Sequence, residues 1–455
     1  LFGGHKRVKQ VRADIRRHPR TIVADGDLDR QINPFAGPGQ RQAQPVPIAG
    51  FDANFTATLI DGFRRILHQI EENLNELIPV AELESVRASF EGLVDKQRKL
   101  WRGLAGPDDP SDGLWATGAQ PRLGTFDGLV DDTDSARTIE TILDKPLQIS
   151  QQIMQAPAVA PTQFMMMCSP QTDHGPAAWH RDIHPIDQAP IAALQQDLLA
   201  NGPGYLQWNL ALYDDRVLWV VPGSHARPNT DAENSALADD PRQPLPGGLQ
   251  VELNAGDAVV YSNLILHWGS SYSPTLRRTV HFGFRSVGGQ QFPYVLGQHR
   301  RGEPAPFLSP SAQQAWAGHG KLYRQECDLI EKTLRAAINQ DKPAFTEGIA
   351  ALHPGEKMRI VTVILLSKLS YKLHFDEHPE RSGYGADFTQ DAQLRPLFSR
   401  RDTEKLWQRF AWLDDQLKAP DGEQYIPGYQ SGPMSYRFES LPEGLTIETV
   451  MDSWA

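Results

Sequence analysis

From Phe55 the chain falls into a helical period: Leu59, Phe63, Ile66, Leu67, Ile70, Leu74 and Leu77 recur at three- and four-residue steps and make one apolar face. Pro79 ends that helix. A second is expected from about Val80, with Leu83, Val86, Phe90, Leu93, Leu100 and Trp101 on its stripe, and both stripes read as faces packed on a core. The Pro-, Gly- and Asp-rich stretch from Gly106 to Gly124 predicts a loop, and a short helix is expected over Ser135 to Leu143.

Near Pro161 the period changes. Phe164 to Cys168 is a short apolar run, Ile191 to Ala200 is helical, and Tyr205 to Tyr213 and Val217 to Val221 read as strands joined by a turn at Asp214-Asp215. A polar insertion from Ala226 to Gly248 follows, and strands return at Leu249 to Leu253, Ala258 to Ser262 and Thr279 to Phe284. Short strands with Gly/Pro turns and few helices between them predict an antiparallel barrel or sandwich. After Gly289 a Pro/Gly-rich link leads to three further helical stripes: Tyr323 to Ile338, Ile360 to Leu369, and Leu406 to Leu417. The expected organisation is an α+β chain: an arm over 1–50, a helical region over 51–155, a β core over 156–290 and a helical region over 291–455.

Composition narrows the function classes. The net charge of -11 argues against a broad nucleic-acid-binding face, and the basic residues from Lys6 to Arg20 read as a surface arm. Cys168 and Cys327 make neither a disulfide framework nor a zinc cluster, which fits a reducing compartment. No apolar run reaches the length of a membrane span, the longest candidate being Ile360 to Leu366, and no signal-peptide pattern stands at Leu1. The expectation is a cytoplasmic protein with no membrane or nucleic-acid partner. The absence of Met at Leu1 points to an upstream segment removed or left out.

Candidate chemistry begins at Trp179-His180-Arg181-Asp182-Ile183-His184-Pro185. In an extended segment residues i and i+2 project to one side, so His180 and Asp182 can grip one ion together. A second imidazole stands at His267, and an Arg follows ten or eleven residues later, at Arg277 or Arg278. Two imidazoles and a carboxylate suit one face of an octahedral ferrous ion and leave three positions open for a chelating 2-oxo acid and dioxygen. The planar fork of an Arg matches the distal carboxylate of that acid.

The ordered motifs WHRDIHP, VVPGSH, GDAVVYSNLILHWGSS and LRRTVHF, over roughly Pro161 to Gly289, resemble the phytanoyl-CoA dioxygenase family of Fe(II)/2-oxoglutarate oxygenases. The resemblance implies a double-stranded β-helix core (jelly-roll, cupin-like) with His180, Asp182 and His267 as iron ligands and an Arg at 277 or 278 as the 2-oxoglutarate anchor. It further implies an enzyme that hydroxylates or otherwise oxidises a small-molecule C–H bond, using Fe(II), 2-oxoglutarate and O2. Related halogenases have a small residue where Asp182 stands, so the carboxylate points to oxygen transfer. Tyr272-Ser273-Pro274 departs from the Asn that many members carry after the distal His. Two other readings stand beside this one: a barrel that binds metal without turnover, and a cupin-like metallohydrolase, which gives no reason for the Arg.

Strand parity is the available way to choose between the arginines. Arg278, Val280, Phe282 and Phe284 share one face, and Arg277, Thr279, His281 and Arg285 the other. An apolar face turned into the barrel puts Arg278 beside the iron, the preferred assignment; an apolar face packed outward on helices reverses it. Gln207 and Asn209 alternate to one face and can hydrogen-bond the co-substrate, with Trp219 a further pocket candidate. Trp179 and Trp208 read as core. His174, His184 and His281 read as structural or supporting groups, and His225 in Pro-Gly-Ser-His as turn architecture. The flanking amphipathic helices can carry a homo-oligomer contact.

Overall fold

Two antiparallel sheets form the centre of the computed structural model, which describes residues 77–104, 122–124, 129–156, 158–169, 175–183, 189–269, 275–286, 305–353, 355–375, 394–420, 422, 428, 435–437 and 439–454. The expected arm, the helical stripe from Phe55 up to Leu74, most of the loop before Gly124 and the link after Gly289 lie outside the described residues.

The strands in chain order are β1 (Arg122–Gly124), β2 (Val159–Cys168), β3 (Tyr205–Ala211), β4 (Trp219–Val220), β5 (Leu249–Gln250), β6 (Ala258–Tyr261), β7 (His267–Trp268) and β8 (Arg278–Ser286). The larger sheet runs β1-β2-β8-β3-β6 and the smaller β5-β4-β7, with every described pair antiparallel. His180 adds itself to the free side of β7 by an isolated bridge to His267. The result is the double-stranded β-helix expected from the motifs, within an α+β chain.

Register fixes which residues share a face. Trp208 stands opposite Phe282 and Leu210 opposite Val280, and β2 adds Phe164 and Met166 to the same side. This apolar side packs against helices α1 (Val80–Leu104), α2 (Thr133–Leu143) and α3 (Lys145–Met154), through Phe90, Leu93, Ile139, Ile142 and Ile149. Trp208 stacks on Phe282 at 5.6 Å, and its indole N–H donates to Ser150 Oγ at 3.0 Å. The opposite side carries Gln207, Asn209 and Ala211, facing Tyr261, Val259, His281 and Thr279, and looks into the barrel. Ala211, Val220, Val251, Leu253, Val259, Tyr261 and Ile265 form a separate cluster inside it.

Helix ends follow their local chemistry. Asp132 caps α2 with Ser135 reciprocating, and Thr230 and Glu233 do the same for α5 (Asp231–Asp239), a helix inside the stretch read as a polar insertion. Between them come α4 (Ile191–Asn201) and, after the barrel, α6 (Pro310–Ile338), α7 (Lys342–Leu352), α8 (Ile360–Phe375), α9 (Arg400–Leu417) and α10 (Ile447–Asp452). The helices after the barrel share one buried core with α4, Ile183 and Leu264, so they close around the segment that follows Asp182. No described helix is long and apolar enough to cross a membrane.

One polar contact ties that region to α4. His353 Nε2 lies 2.9 Å from Asp197 Oδ1, and Nδ1 lies 3.2 Å from the Gly355 carbonyl. Both nitrogens face acceptors, so the ring is held as imidazolium. Burial pushes its pKa down, but the Asp197 bond and charge outweigh this, and the pKa is raised. A raised folded-state value means that the stabilisation is full below about pH 6.5 and is lost as pH rises through the higher folded value. The gap in melting temperature between wild type and His353→Gln is therefore expected to be widest near pH 6 and to narrow above neutrality; a gap independent of pH would contradict the assignment.

Candidate metal centre

His180 and His267 meet across a two-way backbone pair, each N–H donating to the other's carbonyl at 2.9 Å. Each imidazole turns Nδ1 back to a carbonyl two residues earlier, His180 to Ala178 at 2.8 Å and His267 to Ile265 at 3.0 Å. With Nδ1 on a carbonyl in both rings, Nε2 is the nitrogen that faces Asp182 and is placed to bind a metal. The two Nε2 atoms lie 3.4 Å from Asp182 Oδ1 and Oδ2 respectively. The three residues offer donor atoms all within 4.8 Å of one another. Burial opposes ionisation of Asp182, but the neighbouring His267 and His180 outweigh it and hold the carboxyl well below the usual carboxylate range. Two imidazole Nε2 atoms and one ionised carboxylate make a donor set that fits a divalent transition metal.

The residue between His180 and Asp182 faces the other way. Arg181 is buried and donates to the carbonyls of Ser224 and Leu264 and to Asn229 Oδ1. It thereby fastens the His180–Asp182 segment to the 3-10 turn Ser224–Ala226. Asn263 fixes Asp182 itself: its carbonyl accepts from Asp182 N at 3.0 Å, and its Nδ2 donates to Asp182 O at 3.1 Å. Neither partner is marked by sequence, because each acts through folded proximity to a backbone carbonyl.

The two arginines separate cleanly. Arg278 lies on the helix side, where Nε donates to Glu91 of α1 at 2.8 Å. The preferred assignment of Arg278 to the metal side is therefore corrected: the apolar face of β8 packs outward on helices, and the parity argument reverses. Arg277 turns inward with Thr279 and His281. It is 4% exposed, its Nε donates to Asp215 Oδ2 at 2.8 Å, and neither Nη nitrogen has a partner among the described residues. Asp215, expected as a turn residue, is buried and accepts from Arg277, from Thr279 Oγ1 and from Val217 N. Despite burial, the Arg277 charge and these bonds lower its pKa.

Gln207 meets the metal centre, with Nε2 donating to Asp182 Oδ2 at 2.7 Å. Asn209 Oδ1 accepts from His281 Nδ1 at 2.7 Å, and Asn209 also bonds the buried Tyr261 phenol. Trp219 is corrected as a pocket residue: it pairs with Trp268, on the face of the small sheet opposite His267, and packs edge-on to that indole. Trp179 stacks on Trp268 from the other side, and Leu237 and Leu245 of the 226–248 segment complete this outer cluster. Burial and the charges of Arg181 and Arg227 push His225 down to about 4, so it is neutral in its turn. His174 and His184 lie outside the described residues.

Comparison with known proteins gives one family match: residues 74–279 fit the model of phytanoyl-CoA dioxygenase (PhyH). Solved structures similar to this chain include AviO1 from Streptomyces viridochromogenes Tue57, at 19% identity over 47% of this chain and 87% of that one, with a TM-score of 0.32. The non-heme alpha ketoglutarate dependent carbocyclase SnoK from nogalamycin biosynthesis is 16% identical over 47% and 78%, with a TM-score of 0.32. HygX from Streptomyces hygroscopicus, with nickel and 2-oxoglutarate bound, is 15% identical over 47% and 81%, with a TM-score of 0.31. No curated protein gives a significant match.

Proposed function

Given that residues 74–279 belong to the phytanoyl-CoA dioxygenase family, whose members are Fe(II)/2-oxoglutarate-dependent oxygenases, we propose that this enzyme hydroxylates, or otherwise oxidises, a C–H bond of a small molecule. Iron and 2-oxoglutarate are its cofactor and co-substrate, and together with dioxygen they supply the oxidising chemistry, with succinate and carbon dioxide released. The observation that carries this reading is the His180–Asp182–His267 group, in which two Nε2 atoms and one ionised carboxylate converge.

In this reading His180, Asp182 and His267 hold the iron. Arg277 receives the distal carboxylate of 2-oxoglutarate: it is a buried guanidinium on the inner face, held at Nε by Asp215, with both Nη groups unclaimed among the described residues. Its pairing with Asp215 leaves it oriented before an anion arrives, which lowers the cost of ordering it on binding. The apolar cluster inside the barrel keeps water from the far side of the site. Asp182 supports oxygen transfer over halogenation, since the position a small residue would open is filled by a carboxylate. No acid, base or nucleophile from the chain is required.

The test is oxygen-dependent succinate formation. Protein supplied with Fe(II), ascorbate and 2-oxoglutarate is expected to release succinate slowly even without its own substrate. Bound iron with no succinate under any condition would favour a metal-binding module instead.

A further inference from the structure

We infer that Gln207 is a positioning residue that reserves one oxygen of Asp182 and so limits that carboxylate to one bond with the metal; the inference rests on the reading of His180, Asp182 and His267 as the metal ligands. A carboxylate can hold a metal through one oxygen or two. The difference matters here, because three protein donors leave three of six positions for a chelating 2-oxo acid and dioxygen, and a second Asp182 oxygen would take one of them.

The geometry points to Gln207 as the device that prevents this. Gln207 is 2% exposed on β3, with its side chain on the inner face, and Nε2 donates to Asp182 Oδ2 at 2.7 Å. Oδ1, which has no such donor, faces His180 Nε2 at 3.4 Å, while Oδ2 lies 3.4 Å from His267 Nε2 as well as against Gln207. Asn263 grips Asp182 at both its N–H and its carbonyl, so the backbone is fixed and the remaining freedom is rotation of the carboxylate. Gln207 removes that freedom. A second observation separates this role from ordinary core packing: Gln207 Oε1 is buried without a hydrogen-bond partner among the described residues. A buried carbonyl left unsatisfied destabilises a fold, and an apolar side chain of the same shape would avoid it. What the residue contributes lies at its other end, on Asp182.

Gln207→Met keeps the shape and removes the donor. In anaerobic titrations the variant is expected to hold Mn(II) alone at least as tightly as wild type, because the second Asp182 oxygen can now join it, and its Mn(II) form is expected to bind 2-oxoglutarate about 10-fold more weakly. The 2-oxoglutarate-free Mn(II) paramagnetic resonance spectrum should change as the carboxylate rotates, while the metal-free melting temperature is not lowered. Two results would overturn the inference. One is an unchanged Mn(II) spectrum with only 2-oxoglutarate affinity reduced, which makes Gln207 a direct co-substrate contact. The other is a lowered metal-free melting temperature with metal properties unaltered, which makes it structural. Should the variant fail to fold, a crystal structure of wild type with Mn(II) decides: one Mn–O bond from Asp182 with Gln207 on the other oxygen is expected, and two Mn–O bonds would refute it. Wild type that binds no Mn(II) removes the ligand assignment itself, a failure distinct from those above.

Discussion

Asp182→Ala is expected to abolish iron-dependent succinate formation and to weaken metal binding by on the order of 1,000-fold or more, beyond the 10- to 100-fold typical of residues that only support a ligand. The size of the effect follows from the charge distribution. Imidazoles bind a metal as neutral ligands, so Asp182 is the one anionic donor in the group. Its removal also takes away the carboxylate to which Gln207 Nε2 donates. The backbone bonds of Asp182 to Asn263 survive the substitution, so the fold around the site should persist. Succinate assays and Mn(II) titration of the variant, read beside its melting curve, check both statements; an Asp182→Ala protein that turns over at near wild-type rate would remove Asp182 from the metal.

Arg277→Lys is expected to raise the KM for 2-oxoglutarate about 10- to 100-fold, with little change in metal affinity. A lysine supplies charge but not the planar fork, and a charge-assisted bond of this kind contributes about 1.5–3 kcal/mol, where about 1.4 kcal/mol is a factor of ten. Arg278→Ala should act elsewhere. It leaves Glu91 without the guanidinium that joins β8 to α1, so the expected signature is a lower melting temperature with KM for 2-oxoglutarate unmoved. Steady-state kinetics in 2-oxoglutarate for the two variants provide the check. The reverse ranking, with Arg278 governing the co-substrate, would overturn the placement of Arg277 as anchor.

The contrast between these arginines shows where the sequence stops being readable. The His180–Asp182 pair was legible because its geometry is local: a two-residue spacing in an extended segment needs no tertiary information. The antiparallel barrel was legible for a similar reason, through short β-rich runs with turn residues between them. The choice of arginine was not, because β8 is buried on both faces. Period-2 alternation then separates two sides without saying which one is inside, and Phe282 turns out to face helices while His281 faces the cavity. Trp219 misled in the same way. Its strand is two residues long, and the face it occupies is decided by the 226–248 segment that covers Trp179 and Trp268.

Other elements were hidden by residues with two meanings. Pro146 and Pro343 each stand in the first turn of a helix, α3 and α7, where a missing N–H costs nothing. Asp215 read as half of a turn, and it lies between β3 and β4 in an isolated bridge to Leu253, but its carboxylate is the buried partner of Arg277 sixty-two residues away in the chain. Gln207 and Asp182 are likewise joined only by folding. Supporting groups of this kind have no spacing rule, which is why the His180–Asp182–His267 group was legible in the sequence and most of the residues around it were not.

The central claim is that one iron sits on His180, Asp182 and His267 and there recruits 2-oxoglutarate. An anaerobic titration of wild type and His267→Ala, first with Fe(II) and then with 2-oxoglutarate, tests it most directly. Wild type should bind one Fe(II) per chain and take up 2-oxoglutarate tightly only once iron is present, whereas His267→Ala should retain its fold and lose both. Equal binding of iron and 2-oxoglutarate by the two proteins would contradict it.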